Sequence, residues 1–102
     1  MSMNPKLING PIRAIIDNEV PPEHIFDSHF VIARLIKKHS DEYLRFAASI
    51  GENVKTDMMH GFIAQEIGTF NDVVRIQPDA CSENIHGEPN PCACWKRVAK
   101  SK

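Results

Sequence analysis

The chain has 102 residues, 42% of them apolar and 25% charged, with a formal net charge of −1. That length suits a single domain, residues 1–102, with one hydrophobic core, and the composition excludes a disordered chain. Its apolar runs soon meet a charge, as Phe30-Val31-Ile32-Ala33 meets Arg34, so none approaches the roughly 20 residues of a membrane helix.

Residues 1–6 carry one lysine, and no apolar block precedes Pro11, so a secretory leader is not expected. Three cysteines cannot all pair within one chain and suit the reducing cytoplasm better than a disulfide-stapled secreted fold. Residues 1–9 and 99–102 read as flexible tails. From Gly10, Pro11 stands at a plausible first helical position with Ile12, Ile15 and Ile16 at helical spacing; a short helix and a strand over 12–16 both stay open. Asn18 to Pro22 breaks the segment.

From Pro22 onward Ile25, Phe26, Phe30, Val31, Ile32, Leu35 and Ile36 recur in steps of three and four, with Glu23, Asp27, Arg34 and Lys37 on the other face, which predicts a helix over 22–39. Ser40 is placed to cap a second helix over 41–50 that stops at Gly51. Thr56 is placed to cap a third, with Met59, Phe62, Ile63 and Ile67 facing inward and an end near Gly68. Beyond it, Val73-Val74-Arg75-Ile76 and residues 93–98 are compact β-favouring runs separated by a turn-rich stretch, which predicts a hairpin with a long loop.

Within "GFIAQEIGTFNDVVRIQP", residues 61–78, Ala64, Gly68 and Val74 carry the spacing of a helix-turn-helix. With three helices followed by a C-terminal hairpin, residues 25–98 resemble a winged helix-turn-helix domain. In that family the small residue and the turn glycine let two helices approach, and a β-branched residue six positions on plugs the gap between them. The sequence departs after Asn71, because Gln77-Pro78 leaves too little room for a second helix to reach base edges. Either the helix over 56–68 is itself the third helix of a winged fold and Val73 begins the wing, or the spacing is accidental. The first choice implies an α+β fold whose core is Ile25, Phe30, Ile32, Leu35, Ile36, Leu44, Phe46, Phe62, Ile63 and Ile67, closed by Val74, Ile76, Cys94 and Trp95.

Charge is uneven along the chain. Residues 56–91 carry Arg75 against Asp57, Glu66, Asp72, Asp79, Glu83 and Glu88, whereas 92–102 carry Lys96, Arg97, Lys100 and Lys102 and no acid. The DNA-binding form of the resemblance therefore gives base contacts to His60 and Gln65 and phosphate contacts to Arg75, Lys96 and Arg97. These cations also fit ordinary solvated side chains. The rival function is a protein–protein adaptor or inhibitor that turns the acidic 56–91 region to a basic partner. A second copy completing a homodimer stays open.

Cys81, His86, Cys92 and Cys94 put four soft donors within 14 residues, a weak zinc candidate because the spacing is not that of paired Cys-x₂₋₄-Cys knuckles. Buried thiols are the competing reading. The loop around Asn84 and His86 suits either recognition or self-bonding of a turn. "INGPIRAI" lacks the Gly-Lys-Ser/Thr ending of a phosphate loop. No catalytic signature is found, so neither cofactor nor enzyme activity is expected.

Overall fold

The computed structural model describes residues 4–83 and 85–98, with only the backbone of 78–83 and 90. Four helices and three strands follow in the order α1 (Lys6–Glu19), β1 (Ile25–Asp27), α2 (Ser28–Lys38), α3 (Ser40–Ile50), α4 (Thr56–Ile67), β2 (Val73–Glu83) and β3 (Pro89–Arg97). The strands form one antiparallel sheet in the order β1-β3-β2. Among the described residues no helix is long and apolar enough to cross a membrane. The chain is thus an α+β domain.

Helix α1 settles the open choice over 12–16 in favour of helix and extends it to Lys6, into the stretch expected as a tail. Ile8, Ile12, Ile15 and Ile16 fall on one stripe and are buried. Pro11 lies inside the helix rather than at its start. An internal proline costs about 3 kcal/mol, whereas each buried isoleucine contributes about 2 kcal/mol, so the apolar stripe decides the outcome.

The helix expected over 22–39 begins later. Its first part is β1, paired as Ile25↔Lys96, Phe26↔Trp95 and Asp27↔Cys94. Asp27 is not a polar-face residue but the N-cap of α2, its carboxylate accepting from Phe30 N at 2.8 Å. At the other end Lys37 and Lys38 complement the helix dipole. Glu23, at φ 72°, makes the turn into β1, and its N–H donates to Arg97 O. Neither Ser40 nor Thr56 caps through its side chain; each is the first helical residue. Gly51 does end α3, at φ 147°, where a side chain would be strained.

The core is largely the expected one, with α1 added. Ile32, Leu35, Phe46, Ile63, Ile67 and Trp95 are buried together with Ile8, Ile12, Ile15, Ile16, Phe26 and Val31. Ile25, Leu44 and Val74 are instead 64, 62 and 51% exposed. In α3 the inward pair is Tyr43 and Phe46, which rotates Leu44 out; in the strands Phe26 and Trp95 take the inner face, which alternation denies to Ile25 and Val74. Val74 thus plugs no gap between helices.

The hairpin is present but longer than expected. Strand β2 runs through Gln77 and Pro78 to Glu83, and β3 starts at Pro89. Partners shift from Ile76↔Cys94 to Ala80↔Cys92, so four steps on β2 oppose two on β3. Pro78 sits in this bulge, where no ladder donor is required.

One ion network ties the layers. Asp72, 1% exposed, accepts a bidentate pair from Arg13 at 2.7 and 2.8 Å and has Arg97 Nε at 3.5 Å. Arg13 and Arg97 also share Asp17 at 2.8 and 3.2 Å. Arg97 Nη1 further donates to Val20 O and Ile16 O at 2.6 and 3.1 Å, which satisfies carbonyls at the end of α1.

The hydrogen bonds from Arg13 hold the Asp72 carboxyl below the usual aspartate range, against burial, which pushes it up. Its unfolded form therefore binds protons first, and the stability it contributes is full above the ordinary aspartate range and lost as pH falls below it. Asp72→Asn, which leaves two guanidinium groups short of their partner, is expected to cost about 3 kcal/mol in urea unfolding and to remove that acid dependence; a variant as stable as the parent would contradict the role given to this carboxylate.

Candidate functional site

Helix α4 carries its buried residues, Met59, Ile63 and Ile67, toward the core and a second strip toward the hairpin. A cavity of about 380 Å³ lies between this strip, the first turn of α2 and the hairpin. From α4 it is lined by Asp57, His60, Gly61 and Ala64, from α2 by Ser28, His29 and Ile32, and from the hairpin by Arg75, Ile85, His86, Pro91, Cys92 and Ala93. A second depression of about 320 Å³ shares Ala64, Arg75 and Ala93 with it and adds Gln65, Gly68, Val73 and Trp95. Together they make one groove along α4.

Small residues keep the groove open. A Cβ at Gly61 would meet nothing within 4 Å, whereas one at Gly68 would lie 3.4 Å from Gln65 O and 3.9 Å from Trp95 Nε1. A methyl group at Gly68 would make only ordinary contacts, and Gly61 leaves room at the cavity wall. Arg75 spans both depressions, with its guanidinium 6.0 Å from the Trp95 ring centroid.

His60 is half-buried, and its Nε2 lies 2.9 Å from the Tyr43 hydroxyl. Burial holds its imidazole below the usual histidine range; His86 and His29 push it the same way, and Asp57 opposes them. Burial also raises the Tyr43 phenol. At neutral pH the cavity thus combines a permanent cation, a carboxylate and a neutral His60.

The groove gathers five of the expected residues: His60, Gln65, Arg75, His86 and Cys92. Lys96 stands on the other sheet face, between Ile25 and Val74 in register, and pairs with Glu23 at 3.1 Å. Arg97 is committed to Asp17, Asp72 and the end of α1, so its guanidinium is not presented beside Arg75. Asn84 lies outside the described residues, as does the Cys81 side chain. Cys92 and Cys94 are buried; Cys92 lines the cavity, whereas Cys94 Sγ lies 3.8 Å from Ile76 O. Among the described residues no group of three or more His, Cys, Asp or Glu side chains is arranged to hold a metal ion.

The acidic region is also reduced. Asp72 is buried, and Glu66 accepts from Asn9 Nδ2 at 2.7 Å. Sequence reasoning missed Ser28, His29 and Ile85 as lining residues, because only the fold brings α2 to the hairpin. Gly61, an interior helix glycine that costs about 1 kcal/mol, gave no pointer to them, because nothing comes close to it. Compared with known proteins, the chain matches no family model, no curated protein and no solved structure.

His60 binds its proton less readily folded than unfolded, so the stability it contributes is full above the ordinary histidine range and falls as pH drops through that range. Urea unfolding between about pH 7 and 5 should therefore steepen less in His60→Gln than in the parent. Equal slopes would show that burial does not shift this imidazole.

Proposed function

We propose that the chain is a small non-enzymatic binding module of winged helix-turn-helix type that meets DNA with α4 and the hairpin. What supports this reading is the passage from α4 through Gly68 directly into a paired hairpin, with Gln65, Arg75 and His86 on the groove between the two. In it α4 is the third helix of the winged fold and β2 opens the wing. Gln65, exposed near the end of α4, pairs with a base edge, and His60 lies deeper in the same strip.

Phosphate contacts fall to Arg75, joined by Lys55, which is exposed at the N-cap of α4; Lys96, on the other sheet face and paired with Glu23, is not beside them. Arg97 acts behind them as a structural cation. Two phosphate contacts make a weak, salt-sensitive binder. The rival adaptor reading loses two of its acids, because Asp72 is internal and Glu66 is engaged by Asn9. Buried thiols at Cys92 and Cys94 fit a reducing, cytoplasmic setting.

With two contacts, duplex affinity in a mobility-shift titration should fall about 12-fold between 50 and 200 mM salt. Arg75→Ala and Lys55→Ala should each lower that salt slope by about one, with melting temperature retained. Arg97→Ala should lower the melting temperature first. Absence of any shift at the lower salt would discard DNA as the ligand.

A further inference from the structure

We propose that the sheet face turned away from α4 is a self-association surface, and that a second copy of this chain covers it across a two-fold axis. The inference does not depend on what occupies the groove beside α4, because the two surfaces lie on opposite sides of the sheet.

Alternation sets what this face carries. Phe26 and Trp95 are buried on the inner side, so their neighbours Ile25 and Lys96, with Val74, form one row across all three strands on the outer side. The two ends of the row, Ile25 and Val74, are among the most exposed large apolar side chains of the described residues. A sheet face left to water ordinarily carries polar groups at such positions. Here two β-branched apolar residues stand about 10 Å apart, two strand spacings, with the aliphatic stem of Lys96 between them. Beside Ile25, at the free edge of β1, a cleft of about 270 Å³ has Val20, Pro21, Phe26 and Phe30 as its apolar lining.

The charges on the row select the partner. Lys96 pairs with Glu23 at 3.1 Å, and both side chains stay partly exposed. One cation on β3 and one anion beside β1 are complementary to a copy of themselves. A two-fold axis running along the strands, between β1 and β3, carries Lys96 of each copy over Glu23 of the other, and the two pairs become a ring of four alternating charges. The same axis carries Val74, one strand beyond β3, over the cleft that lies one strand beyond β1. Each copy thus supplies both the projecting side chain and the recess that receives it, which is the isologous contact of a closed dimer. A partner surface of a single sign would instead set either Lys96 or Glu23 against its like. Three strands make a small patch, so the dimer is a weak one.

Sedimentation equilibrium of the full chain should show a monomer–dimer equilibrium with a Kd of about 10–500 μM. Ile25→Thr and Val74→Thr keep a β-branched side chain at exposed positions. Each should weaken the dimer about tenfold, since a substitution enters a two-fold interface twice, and leave the melting temperature of the dilute monomer unchanged. Glu23→Lys and Lys96→Glu should each be monomeric alone, whereas an equimolar mixture of the two should recover dimers, because one copy then presents two cations and the other two anions. A parent that stays monomeric up to about 1 mM leaves the face to water or to another partner and overturns the proposal. So does a dimer that survives in the threonine variants, which would be built elsewhere, and so does a mixture no more associated than its two components.

Discussion

A single carboxylate organises this fold. Asp72 sits between α4 and β2, beyond the reach of water, and two arginines meet on it: Arg13 from the middle of α1 and Arg97 from the end of β3. Burying a charge is expensive unless its partners are in place. Here geometry supplies them: a bidentate guanidinium on one side, a second guanidinium on the other, and a backbone bond from Val98 N to Asp72 O at 2.8 Å. Arg13 also lies 4.9 Å from the Phe70 ring centroid, so its aliphatic and aromatic surroundings hold the fork in position.

This constraint governs which charges are left for function. Arg34 and Lys38 share Glu19 at 3.0 and 3.3 Å, and Arg97 is drawn inward. The formal balance of the sequence therefore says little about the electrostatics of any one face. The groove beside α4 depends on Arg75, Asp57 and a His60 that burial holds below the usual histidine range. Its character is conditional in a way that a surface of lysines would not be.

Much of this was legible. The 3.6-residue stripes through Leu35 and through Ile63 placed α2 and α4, and the β-branched run at Val73 placed a strand after Gly68. What escaped had physical reasons. A three-residue strand such as β1 has no periodicity of its own and exists because β3 offers it a partner. Pro11 argued for a helix start on local grounds, and only the burial of Ile8 one turn earlier in the same helix, with Ile12, Ile15 and Ile16, outweighs it. The inward turn of Arg97 could not be read, since its carboxylate partners stand 80 and 25 positions earlier in the chain. The site was half legible: α4 and Arg75 were named, whereas the α2 contribution depends on packing.

The position of β3 in the sheet carries a kinetic consequence. Strands β1 and β2 never touch each other; each reaches its pair only through β3. Ile25 must wait for Lys96, a loop of about 70 residues, and closing so long a loop before its contacts are rewarded slows folding. During synthesis the helical part emerges first and stands with Phe26 and Asp72 unshielded until the last strand arrives. The late-arriving residues 94–97 act as a latch, and the interval before it shuts is when the nascent protein has most need of a chaperone.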